Sequence, residues 1–298
     1  MTELLPSKSR ASAAPVGLLY LSITAIGWGS NWPVSKYLLG LLPPFTLRGG
    51  VGVIGAALIA LLAVMRGDSL AVPRKLWPRL ILAAVLNVGC WTVLMGLALL
   101  WLPASETSMI AYTMAVWASL IAWPVLGERP TPLRIVALVM ALAGIAVIMG
   151  GSGFSPTESK WPGFALALAG SVGFALGTVL MKKYPVALPP LVGTAWQIGL
   201  GCLPVTIAGL LIETSHFERL TPLAWWLLVY SAAGQCLAYV AYFAALTRLP
   251  ASIAAIGTLA VPVIGVVTSA IALQEPLGVG QIVALSFTLV GVALSTRT

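Results

Sequence analysis

Charge is what this chain has least of: 8% of its 298 residues are Asp, Glu, Lys or Arg, against about a quarter in a soluble domain. So few ionic groups cannot coat a water-facing surface, so the solvent for most of the chain is lipid. There is a single histidine, His216, beside Glu213 and Glu218 in a loop. One imidazole there offers no converging ligand set, which leaves no metal site. Seven of the eight acids fall in tails, loops or the ends of apolar runs, and no nucleophile has a base at usable spacing, so the chain does not read as an enzyme. No glycine-rich phosphate cradle follows a strand, so no ATP-binding domain and no cofactor is expected. Cysteine is equally scarce. Cys90, Cys202 and Cys236 lie inside apolar runs without paired spacing and read as small core residues.

Apolar residues are abundant: 59% of the chain, with a mean hydropathy of +1.01. Charges, prolines and glycines mark off ten apolar segments, at 16–36, 45–65, 77–100, 105–124, 132–150, 162–182, 190–212, 223–246, 252–273 and 278–296. Most are close to the roughly 20 residues a bilayer span needs. Lipid satisfies no backbone group, and alternating barrel strands are absent, so the expected fold is all-α and integral to the membrane, with ten transmembrane helices. Residues 1–15 form a short tail. Lys8 and Arg10 precede the first apolar run, but that run leads into Trp28-Gly29-Ser30-Asn31-Trp32-Pro33 with no small-residue cleavage site, so it reads as a retained first span.

The net charge of +8 points to topology and not to nucleic acid. With the N-terminus in the cytoplasm, Lys8, Arg10, Arg66, Arg74, Lys75, Arg79, Arg129, Arg134, Lys182, Lys183, Arg248 and Arg297 face inward, and Lys36, Arg48, Lys160 and Arg219 face outward. That imbalance predicts both termini inside the cell, in an inner (plasma) membrane protein. Trp101, Trp123, Trp161, Trp225 and Trp226 stand at span ends and read as an interfacial belt. The expected partners are the lipid bilayer and a small-molecule substrate. Protein partners and oligomeric state are not legible.

The chain also repeats itself. Leu102–Met149 lies on Leu249–Thr296 without a gap at an offset of 147, with 14 identities in 48 positions. Leu102-Pro103-Ala104-Ser105 meets Leu249-Pro250-Ala251-Ser252, Glu128 meets Glu275, and Gly144 meets Gly291. Gly27–Lys36 pairs with Gly173–Lys182, and Asn87 and Trp91 pair with Gln235 and Tyr239, at offsets of 146 and 148. The copies divide the chain into 16–150 and 151–298, together one transmembrane domain. Five spans is an odd number, so the second copy enters the membrane from the opposite side. Inverted repeats of this kind recur in secondary transporters, with the substrate near the midplane.

Trp28-Gly29-Ser30-Asn31 in the first span, Gly127-Glu128 closing the fourth, mid-span Pro262, Glu275 and the duplication together resemble the EamA-type members of the drug/metabolite transporter superfamily. The resemblance covers nearly the whole chain. It implies a ten-helix exporter of amino acids or other small metabolites. The first copy departs from the second in carrying Ala115 opposite Pro262, so nothing in the sequence calls for a matching bend there.

Polar and aromatic residues at helical spacing supply the candidate site. Asn87 and Trp91 are four apart on one face, and Gln235, Tyr239 and Tyr242 follow an i, i+4, i+7 stripe. Trp28 and Asn31 of the first span and Tyr112 of the fourth complete the set. Amides avoid lipid, so these stripes either line a substrate cavity or bond helix to helix. Glu106, one residue into the fourth span, either attracts a substrate ammonium or carries a proton, or rests at the interface against a helix N-terminus. Arg48 either takes a substrate carboxylate bidentately or snorkels outward. Lys182 and Lys183 read as cytoplasmic anchors.

Aromatic walls with amide donors and few charges suit a neutral, aromatic amino acid. The expected mechanism is alternating access, with the two five-helix halves rocking about the midplane and close glycine contacts at Gly49, Gly50, Gly52, Gly55, Gly199 and Gly201 permitting movement. A broad drug or cation exporter of the same fold and a facilitating channel are the alternatives. Neither proton coupling nor simple facilitated diffusion is legible.

Overall fold

The computed structural model describes residues 8–128, 131–150, 160–249 and 257–295. Outside the described residues lie the side chains of Lys8, Arg10, Arg129, Arg134 and Arg297, and the Pro250-Ala251-Ser252 anchor. The described chain folds into helices, with no strand among them. They are α1 (Lys8–Leu39), α2 (Pro44–Met65), α3 (Arg74–Trp101), α4 (Ala104–Leu126), α5 (Pro132–Gly150), α6 (Trp161–Lys183), α7 (Pro190–Ile212), α8 (Pro222–Leu246), α9 (Ala260–Leu273) and α10 (Val279–Ser295). By length and hydropathy α2, α3, α4, α6, α7 and α8 can each cross a membrane. Their outer faces carry exposed Leu, Ile and Val, and all five tryptophans assigned to the belt are exposed. The three cysteines are free thiols in buried or half-buried positions.

Local chemistry places the helix ends. Proline opens α2, α5, α7 and α8, where its fixed φ suits the first turn and its missing N–H costs nothing. α4 ends on Gly127 at φ +76°, and its repeat mate Gln274 ends α9 at φ +55°. A left-handed residue there turns the chain sharply, and Glu128 or Glu275 follows at once. Gln274 holds this conformation with a side-chain hydrogen bond to the Ile271 carbonyl, 2.9 Å long.

The principal helix packings all cross between the sequence halves: α2 on α7, α5 on α10, α1 on α8 and α9, α3 on α6, α4 on α6 and on α9, and the middle of α3 on α7. Under exchange of the two copies this set, together with α8 on α2 as the mate of α3 on α7, maps onto itself, since α1 on α8 becomes α6 on α3. Within this one bundle the two copies are interleaved, with helices of one copy packed on helices of the other.

The mates α2 and α7 run antiparallel: Thr46 faces Gly209, Gly49 faces Thr206, Gly52 faces Cys202 and Ala56 faces Gly199. This is the geometry an inverted duplication requires. Lipid supplies no hydrophobic drive between helices, so close packing of small residues has to hold them. At Gly52 a Cβ would fall 2.2 Å from the Cys202 Sγ, whereas at neighbouring Gly50 it would meet nothing within 4 Å.

Acids from the second half lock onto helix starts in the first. Glu275 accepts from the backbone N–H groups of Ala104 and Ser105 at 2.7 and 2.9 Å and from the Ser105 hydroxyl at 2.5 Å. Glu213 accepts from the N–H groups of Phe45 and Thr46 at 3.0 and 2.7 Å and from the Thr46 hydroxyl at 2.9 Å. These carboxylates satisfy donors that a helix start leaves orphaned and sit where its dipole favours an anion. Lys36 donates to the Leu99 and Leu102 carbonyls at the same end of the bundle. Glu128, 2.5 Å from Lys182, stands at the other end of α4. The two glutamates anchoring the repeat are therefore at opposite ends of the bundle.

Candidate functional site

Between the interleaved halves lies a cavity of about 440 Å³, walled by α1, α2, α3, α4, α6, α7, α8 and the turn leading into α9. Such a volume falls within the range of small-molecule pockets. Trp28, Asn31, Arg48, Asn87, Trp91, Tyr112, Gln235, Tyr239 and Tyr242 all line it. Of the ten residues singled out in the sequence, Glu106 is the one outside this wall. It is buried at 3% exposure, with its Oε1 3.3 Å from the Lys160 Nζ. It pairs with the start of α6 and is not placed to meet a substrate ammonium in the cavity.

The aromatic rings in the lining form two groups. Trp28 meets Tyr239 edge-on at 5.3 Å between centroids and Tyr242 at 5.4 Å. Trp91 stands 6.4 Å from Trp32 and 5.0 Å from Phe174. These separations suit quadrupolar ring contacts. The stripes read from spacing therefore converge because α8 packs on α1, a pairing of helices from opposite halves of the chain.

Polar groups are interspersed. The Asn31 Oδ1 accepts from the Ser231 hydroxyl at 2.6 Å. Asn87 donates to the Met181 Sδ at 2.8 Å, and its Oδ1 is a buried acceptor with no partner among the described residues. Arg48 donates to the Ser35 hydroxyl at 3.0 Å. The outward snorkel allowed by the sequence does not occur: Arg48 forms part of the cavity wall, with Gly96 admitting its aliphatic stem.

Three backbone irregularities at this cavity escaped the sequence reading. α3 widens into a π turn at Ala84–Gly89, which carries Asn87 and Val88 into the wall; insertions of this type concentrate at functional sites. α4 breaks at Thr113, and the chain has a matching turn at Thr258 and Leu259 before α9. No proline or glycine signals the first break. Thr113 bonds its own Ile110 carbonyl at 2.6 Å, and the Ser171 hydroxyl of α6 comes within 3.2 Å of the Ala111 carbonyl. A hydroxyl competing for backbone partners does here what Pro262 accompanies in the other copy. Tyr112, Met114, Thr258 and Leu259, flanking or within the breaks, line the cavity. An interrupted helix beside a central cavity is a feature that marks transporter binding sites.

A polytopic helical bundle, duplicated and enclosing a central cavity flanked by a broken helix, has the architecture of a secondary transporter. The chain belongs to the EamA-like transporter family, whose pattern matches residues 15–150 and again 161–297. It is thus a multi-pass membrane transporter of the drug/metabolite superfamily and not an enzyme. It is 31% identical to the uncharacterized transporter YvbV of Bacillus subtilis (strain 168), over 93% of this chain and 90% of that one. It is 28% identical over 180 residues to the aromatic amino acid exporter YddG of Ancylobacter novellus, 59% of this chain and 60% of that one. A solved crystal structure superposes with a TM-score of 0.68 at 23% identity, covering 95% of this chain and 96% of the other, which speaks to the fold alone.

Proposed function

We propose that the chain crosses the inner membrane ten times as two inverted five-helix repeats, residues 16–150 and 151–298, with both termini cytoplasmic, and exports small metabolites by alternating access. The substrates are compounds with an aromatic or apolar body and one polar end, with neutral and aromatic amino acids as the first candidates. The observation that carries this is the cavity itself: Trp28, Trp91, Tyr239 and Tyr242 supply ring faces, while Asn31, Gln235 and Arg48 supply hydrogen bonds. The name of the Ancylobacter relative points the same way.

Because the halves interleave, each moving body takes helices from both, and opening one end requires the Glu275 and Glu213 contacts to loosen. Radiolabelled tryptophan and phenylalanine flux in proteoliposomes tests the proposal. Saturable uptake above empty vesicles is expected, and Trp28→Ala should raise the half-saturating concentration tenfold or more, since a ring contact and its buried area together contribute about 2 kcal/mol. Flux no greater than in empty vesicles would refute it.

A further inference from the structure

Among the described residues the cavity wall carries one formal charge, and it is positive. Arg48 is the charged side chain among the lining residues, and no carboxylate is there with it. The described carboxylates are engaged elsewhere. Glu106 pairs with Lys160, Glu128 with Lys182 and Glu218 with His216. Glu213 and Glu275 hold helix starts, and Asp68 lies in the turn after α2. Arg48 makes one hydrogen bond among the described residues, to Ser35, whereas a guanidinium offers five donors in a planar fork matched to a carboxylate. The sides of the cavity are aromatic. A half-buried cation with no counter-charge among the described residues is costly, and an anion entering the cavity relieves that cost. A substrate ammonium would find no carboxylate and a repelling guanidinium.

Resting on the reading of this cavity as the transport site, we propose that it prefers organic monoanions, an aromatic body bearing a carboxylate, to the zwitterionic amino acids it also accepts, and that membrane potential drives export of the anions. Among the described residues the wall holds no carboxylate to carry a proton, and none is needed. An inside-negative potential expels a monoanion directly, with a limiting concentration ratio of about 50-fold per 100 mV.

The test uses purified protein in proteoliposomes with three radiolabelled compounds sharing a phenylpropyl frame: 3-phenylpropionate (anion), phenylalanine (zwitterion) and 3-phenylpropylamine (cation). A potassium–valinomycin diffusion potential is imposed in either polarity. The expected result is saturable 3-phenylpropionate uptake that rises with a positive lumen and falls with a negative one, with phenylalanine competing at least tenfold more weakly. Arg48→Gln should lower anion uptake tenfold or more, and Arg48→Lys should restore part of it. The wild-type voltage response stands whether or not either variant folds. Phenylalanine flux exceeding that of the anion and indifferent to potential would overturn the monoanion proposal while leaving aromatic amino-acid transport intact. Preferential flux of the amine would overturn it in favour of a cation exporter. No flux of any of the three would overturn it together with the transport reading beneath it.

Discussion

Glu275→Ala should cost the protein about 2 kcal/mol of stability without touching the cavity, by removing a helix cap and the anion at a helix start. The carboxylate accepts two backbone N–H bonds at the start of α4 and one from the Ser105 hydroxyl. Loss of an N-terminal cap costs about 1 kcal/mol and up to about 2 kcal/mol. The anion's interaction with the helix dipole adds roughly 0.3–1 kcal/mol, and the hydroxyl bond about as much again. Glu275 is only half-buried, so water replaces part of what is removed, which brings the expected loss to about 2 kcal/mol. Glu275→Gln keeps an acceptor oxygen but loses the charge and should cost about 1 kcal/mol by the same reasoning. Equilibrium unfolding in mixed micelles at several denaturing-detergent fractions would measure both. Ser105→Ala supplies the cycle: after Glu275→Ala it should cost about 0.5–1 kcal/mol less than in the wild type, because its partner has already gone. A Glu275→Ala protein as stable as one with an ordinary surface substitution, within about 0.5 kcal/mol of wild type, would refute the interlock, as would full additivity of the two substitutions.

Other expectations follow from the same packing. Gly52→Ala should destabilise by about 1–3 kcal/mol through overpacking against Cys202, Cys202→Gly in the same chain should recover most of that loss, and Gly50→Ala should be neutral within ~0.5 kcal/mol, all read by thermal unfolding. Gln274→Gly should stabilise by about 0.5–1 kcal/mol, since it relieves a left-handed side-chain residue at a modest cost in chain entropy; a lower melting temperature would contradict this. Glu106→Gln should leave flux under an imposed pH gradient within twofold of wild type, because the carboxylate pairs with Lys160 away from the cavity; abolition of gradient-driven flux in a folded variant would make it the proton carrier after all.

Class, repeat and candidate wall were legible in the linear chain because each follows from short-range periodicity or from self-similarity. Apolar runs of span length, a glutamate recurring at the repeat offset and aromatic stripes at i, i+4 and i+7 need no knowledge of partners. Nine of the ten residues chosen from those patterns lie around one cavity. For Glu106 the sequence left both readings open, because an acid in the first turn of a span looks the same whether it meets substrate or Lys160. Its partner stands at the start of α6, beyond the whole of α5 in the chain, and local spacing does not specify which helix start it meets.

Only the tertiary arrangement decided how the copies combine. Composition and duplication are equally compatible with two side-by-side bundles and with interleaved ones. The choice falls to close contacts such as Gly52 on Cys202 and to the Glu275 cap on Ser105, both of which join distant parts of the chain. The break at Thr113 belongs with them. No proline announces it, and it exists because the Ser171 hydroxyl, brought in by packing of α6, takes up a carbonyl at the point of interruption. The bare charge of Arg48 within the cavity is tertiary too: a residue's counter-ion is set by what folds against it, and among the described lining residues nothing acidic does.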